Sequence, residues 1–138
     1  MAVLHAHLER PMDPKSEFKG KRGWQRIVTA TANTLDGLLA AWQNEAAFRQ
    51  ESLMLLVGTV CALLLKISAF EKLVLIGVLV LVLIVELINS ALEAVVDRIS
   101  LERHPLSKNA KDFGSAAVAL AIGLAVAAWA VVLYNRFF

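Results

Sequence analysis

Residues 73–98 read LVLIGVLVLVLIVELINSALEAVVDR, and this stretch decides the fold. From Leu73 to Val85 no side chain is polar; then Glu86, Asn89, Glu93 and Asp97 arrive within twelve residues. At about 100° per residue, Asn89, Glu93 and Asp97 fall about −60°, −20° and +20° from Glu86 around a helix axis, with Ser90 near +40°. The polar atoms therefore form one narrow stripe on an otherwise apolar helix. A charged carboxylate near the centre of a membrane span costs about 2.5–3.5 kcal/mol, so such a group demands a reason. Glu86 sits too deep to reach the interface, whereas Glu93 and Asp97 lie nearer one end. Two explanations stand: a hydrogen-bonded clamp between helices, or a reactive site kept inside the bilayer.

The rest of the chain supports a membrane setting. Of 138 residues, 58% are hydrophobic, and the mean hydropathy is +0.63, well above the usual balance of a soluble domain. Three spans are predicted, at about 46–67, 71–98 and 114–135, since crossing a bilayer takes roughly 20 mostly apolar residues. Of the 14 Lys and Arg residues, seven precede residue 50 and four lie between Arg98 and Lys111. The positive-inside rule then puts the N-terminus and the second loop in the cytoplasm, and the Lys66–Lys72 turn and C-terminus on the periplasmic side.

Residues 1–19 lack an apolar run and carry two prolines, which predicts a mobile tail and no cleavable signal. Residues 20–43 place Trp24, Ile27, Val28, Thr31, Leu35, Leu38, Leu39 and Trp42 at three- and four-residue steps, the pattern of an amphipathic helix lying at the membrane interface. Residues 44–138 form the three-span domain. Glu45 and Arg49 stand four apart where the first span begins, so they could simply pair. In the loop SLERHPLSKNAKDFG (residues 100–114) Pro105 breaks the second helix, and Ser107 is a plausible cap for the next. Ser115, Ala119, Gly123 and Ala127 repeat every four residues, a spacing that lets helix backbones approach closely, within a chain or between chains.

A positioned carboxylate can take a proton from an alcohol, and this assigns Glu86 as a candidate base. Carboxylates lacking a cation in their own span also suit Mg²⁺, which prefers oxygen ligands; Glu93 and Glu45, at the mouth of the first span, are candidates. No G-x-x-x-x-G-K-[ST] or G-x-G-x-x-G segment occurs, and His5, His7 and His104 have no metal-ligand spacing. Cys61 is the one cysteine, so an intrachain disulfide is excluded.

The segments AAWQNEAAFRQE, VELINSALEAVVDRIS and AKDFGSAAV closely resemble the prokaryotic diacylglycerol kinase family, and the likeness runs from about Gly23 to Arg136. The resemblance implies an all-α membrane protein with a surface helix and three spans per chain, assembled as a homotrimeric helical bundle with active sites shared between chains. It implies transfer of the γ-phosphoryl of ATP, with Mg²⁺, to the hydroxyl of diacylglycerol, yielding phosphatidic acid on the cytoplasmic side of the inner membrane, in support of phospholipid recycling. Glu86 would be the catalytic base, and Glu45 and Glu93 the metal ligands. ATP would be held by Arg26, Glu45, Asn89, Glu93, Glu102, His104, Lys111 and Asp112. The lipid would meet Arg26, Trp42, Arg49, Glu51, Glu86 and Ser115. No nucleic-acid partner is expected. Within the loop, PLSKNAKD departs from the family pattern, and residues 1–16 have no counterpart. The alternatives are an undecaprenol kinase of the same architecture and, in another class, a proton or ion conductor built on the acidic stripe.

Overall fold

The computed structural model describes residues 23–99, 102 and 104–138. The tail expected over residues 1–19, and residues 20–22 of the expected surface helix, lie outside the described residues. The chain divides into two units, Met1–Asp36 and Gly37–Phe138. In the first, Gly23 adopts φ 68°, a left-handed conformation that glycine enters without steric cost, and helix α1 (Trp24–Asn44) starts directly after it. Thr29, Thr31 and Thr34 each donate a hydroxyl hydrogen bond to the carbonyl four residues back, so these polar side chains are satisfied by the helix that carries them.

The second unit adds α2 (Ala46–Leu64), α3 (Ala69–Ile99) and α4 (Pro105–Phe137). Each of these three is long and apolar enough to cross a bilayer. Large apolar side chains are exposed along all of them, including Leu53, Leu64, Phe70, Leu73, Ile88, Leu120 and Val126. Such surfaces are stable in hydrocarbon and not in water.

The α2–α3 turn is fixed by short-range bonds. Ser68 N–H donates to Glu71 Oε2 at 2.7 Å, and Glu71 N–H donates to Ser68 Oγ at 3.2 Å, a reciprocal capping box at the start of α3. Lys72 Nζ reaches back to the Leu63 carbonyl at 3.0 Å and covers the end of α2.

At the start of α4, Pro105 occupies the first turn, and His104 is the cap, its Nδ1 accepting from Leu106 N–H at 3.2 Å. The cap expected at Ser107 is therefore corrected: proline is preorganised for the first helical position, which fixes the cap one residue before it. The third apolar stretch accordingly belongs to a longer helix, whose first turns carry Lys108, Lys111 and Asp112.

Helix α3 is central and packs against both α2 and α4. One core cluster joins Leu79 and Val82 of α3 to Ala121 and Ala125 of α4. A second joins Ala62, Leu75 and Val132. Trp129 packs against both, and its indole N–H donates to the Leu75 carbonyl at 3.2 Å. An indole N–H left unpaired in hydrocarbon would be costly, so this bond fixes the ring. The small residues that let α3 and α4 approach are thus Ala121 and Ala125. Ser115, Ala119, Gly123 and Ala127 are all exposed on the chain, and a Cβ on Gly123 would meet nothing. Close packing through that stripe within one chain is not found, because α4 turns a different face toward α3.

Candidate active site

Two carboxylates lie buried in this apolar bundle: Glu86 on α3, 4% exposed, and Glu51 on α2, 9% exposed. Glu45 and Glu93 both lie close enough to Glu86 to repel it electrostatically, and Glu86 in turn acts on Glu51. Four acids from two helices and the corner before α2 are therefore coupled electrostatically through Glu86. Asn89, between Glu86 and Glu93 on the same face, donates its Nδ2 to Glu93 Oε1 at 3.2 Å. A stripe of like charges inside a span opposes folding, so packing on α2 and α4 must hold it in place.

Glu45 occupies the break between α1 and α2, with extended φ −105° and ψ 114°. Its side chain makes no capping bond. The corner is instead tied by Arg49, whose Nη1 donates to the carbonyls of Trp42 at 2.9 Å and Gln43 at 3.3 Å. These are terminal carbonyls of α1, which lack helical partners, and a guanidinium is suited to bridge them. The simple Glu45–Arg49 pairing is not among the ion pairs of the described residues. Arg49 thereby leaves the Glu45 carboxylate available to the acidic cluster. Both Arg49→Gln and Arg49→Lys are expected to lower kcat/KM about tenfold, because displacement of a reacting group by about 1 Å can cost up to 10²-fold. Steady-state kinetics in both substrates checks this: a direct lipid contact would raise only the lipid KM.

Helix α4 supplies the cation. Lys111 Nζ lies 2.6 Å from Asp97 Oδ1 and within electrostatic range of Glu93. Lys108 and Asp112 pair on the exposed side of α4. Gly114 passes so near α3 that an added Cβ would run into Asn89 Oδ1. Asp112-Phe113-Gly114 spells the D-F-G of soluble kinases, but here the three residues lie within a helix, so the likeness is one of letters.

The predicted residues thus divide. Glu45, Glu51, Glu86, Asn89, Glu93 and Lys111 gather around the stripe. Asp112 is occupied with Lys108, and His104 with capping α4. Glu102 and Ser115 are exposed, in the α3–α4 connection and on α4. Trp42 is exposed on α1. Arg26 belongs to the first unit, where it is exposed. Sequence reasoning missed the Asp97–Lys111 pair and the close approach at Gly114. A glycine inside a helical pattern was the available signal for the second.

No group of three or more His, Cys, Asp or Glu among the described residues could hold a metal ion alone. Mg²⁺, however, is commonly held by one or two carboxylates together with substrate phosphates. The donor set fits that mode. It is all oxygen, and two buried acceptors, Glu51 Oε2 and Asn89 Oδ1, have no hydrogen-bond partner among the described residues.

Fold and site together define a small membrane protein of three helices long and apolar enough to span, with buried acidic side chains on two of them. Residues 32–133 match the family model described as prokaryotic diacylglycerol kinase. The chain is 54% identical over 118 residues to a diacylglycerol kinase of Pseudomonas aeruginosa, covering 86% of this chain and 96% of that relative. It is 50% identical over 115 residues to the diacylglycerol kinase of Escherichia coli K12, covering 83% and 94%. A diacylglycerol kinase of Helicobacter pylori 26695 is 43% identical over 96 residues, covering 70% and 75%. The chain belongs to the prokaryotic diacylglycerol kinase family, and it is a kinase.

Proposed function

We propose that this protein transfers the γ-phosphoryl of MgATP to the free hydroxyl of diacylglycerol, giving phosphatidic acid at the cytoplasmic face of the inner membrane. The observation that carries the reading is Glu86: a carboxylate 4% exposed on an apolar helix, within electrostatic range of Glu45, Glu51 and Glu93. Glu86 accepts the proton of the lipid hydroxyl as its oxygen attacks the γ-phosphorus, and the bond from that phosphorus to the β–γ bridging oxygen breaks, releasing ADP. Asn89 holds Glu93 in place and presents its free carbonyl oxygen toward the α4 backbone. Glu45 and Glu93 would hold Mg²⁺, which would supply charge neutralisation on the triphosphate, in keeping with phosphoryl transfer as a matter of positioning and electrostatics. Lys111 exchanges Asp97 for phosphate oxygens, and Asp112, Glu102 and His104 complete the nucleotide side; Arg26 is assigned to the nucleotide on the family likeness alone. Trp42, Arg49 and Ser115 border the lipid, with Arg49 acting through the α1–α2 corner.

Helix α1 is an amphipathic helix on the cytoplasmic interface, and the three long helices that follow form the kinase domain, with the C-terminus periplasmic. The chain assembles as a homotrimer with shared active sites, the exposed Ser115–Ala127 stripe being free for contact between chains. The basic residues flanking the acidic ends of the spans support this orientation.

The experiment is phosphorylation of purified lipids with radiolabelled ATP and Mg²⁺. Diacylglycerol is expected to be the preferred acceptor over undecaprenol. A preference for the polyprenol would overturn the substrate assignment, and flux through liposomes without lipid phosphorylation would favour a conductor.

A further inference from the structure

Beyond the acidic cluster a groove of about 600 Å³ opens along the bundle. Its α2 side is formed by Glu51, Met54, Gly58 and Cys61, its α4 side includes Trp129, and Leu79 of α3 lies at its floor. The α2 residues recur at three- and four-residue steps, hence on one face. From Glu51 to Cys61 the helix rises about 15 Å, half the roughly 30 Å hydrocarbon core of a bilayer. The groove therefore has the reach of a single leaflet. Its charged end is Glu51, which lies within electrostatic range of Glu86. These features fit one acyl chain of a lipid whose headgroup lies at Glu86, a placement that rests on the lipid-kinase reading.

Gly58 lies about 10 Å beyond Glu51 along α2. A Cβ there would collide with Leu79 Cδ1 and come within 3.3 Å of Trp129 Cζ2, so glycine is what lets these two side chains seat directly against α2. The Trp129 ring is tied by its bond to the Leu75 carbonyl and cannot swing aside without losing it. We propose that Gly58 is the gauge of this groove: by letting Leu79 and Trp129 seat back against α2 rather than into the groove they line, it keeps the far half open and sets the acyl-chain length that the enzyme accepts. A larger side chain at this position would close the groove beyond the first turns and shift preference toward short chains.

The test compares kcat/KM for dioleoylglycerol and dioctanoylglycerol in the full-length enzyme and in Gly58→Ala, Gly58→Leu and Cys61→Phe. A misfit of a few methylenes in an apolar pocket is worth about 10–200-fold, so the long-to-short ratio is expected to fall at least about tenfold in Gly58→Leu. Gly58→Ala, which requires only the tip of Leu79 to move, should fall less. Cys61→Phe, at the deep end, should shift the ratio in the same direction. Gly58→Ala and Cys61→Phe keep the test open if Gly58→Leu does not assemble. An unchanged ratio in the variants that assemble overturns the proposal, whether activity is kept or lost equally on both lipids. So does loss of the oligomer without a change in ratio, which would give the groove to a neighbouring chain. Failure of the unmodified enzyme to phosphorylate either diacylglycerol would instead refute the parent reading.

Discussion

Glu86→Gln is expected to lower kcat for lipid phosphorylation by about 10²–10⁴-fold, the usual contribution of a positioned general base. Glutamine keeps the size and one oxygen of glutamate but accepts no proton, so geometry is retained while the chemistry is removed. The same change removes the charge that Glu45 and Glu93 repel and that itself repels Glu51. Burying a carboxylate in a span is unfavourable, so the variant should assemble at least as stably as the parent. This opposition of signs is what distinguishes a reactive group from a structural one. If Glu86 were a clamp between helices, Gln would weaken the bundle and spare much of the turnover. Thermal unfolding in detergent, set beside steady-state kinetics, separates the two, and full turnover in Glu86→Gln would remove it from the base role.

The parts of this architecture that were legible in the sequence are those governed by local chemistry. Length and apolarity alone mark three spans, and a period of 3.6 residues places Glu86, Asn89, Glu93 and Asp97 on one face before any neighbour is known. The pairings across helices were not legible. Lys111 and Asp97 are fourteen residues apart, and only the turn between α3 and α4 brings them to 2.6 Å. Arg49 has an acid one turn before it, but its fork meets two carbonyls instead, because the break at Glu45 exposes the end of α1. The small-residue stripe on α4 shows the same limit. Spacing identifies faces able to pack closely, but which face packs depends on the knobs of α3, and these select Ala121 and Ala125. The α4 cap, by contrast, could have been read correctly, since Pro105 itself specifies the residue before it.

The close approach at Gly114 gives the second large effect. A Cβ here would run into Asn89 Oδ1 and lie 3.1 Å from Asn89 Cγ, so α4 closes its backbone directly over the amide. Gly114→Val must therefore rotate Asn89 or lift α4 away. Rotation breaks the 3.2 Å bond from Asn89 to Glu93, and lifting withdraws Lys111, one turn away on the same helix, from Asp97. Overpacking of this kind costs about 1–3 kcal/mol of stability. Because either response moves groups around Glu86 by an ångström or more, activity is expected to fall by about 10²-fold. Packing and chemistry can be separated by a second change. Asn89→Ala in the Gly114→Val background removes the clashing amide and should recover much of the lost thermal stability. It should not recover activity, since the group that holds Glu93 is then absent. Recovery of both would mean that Asn89 serves only as filling between α3 and α4, and the polar stripe would lose its middle member as a working part of the site.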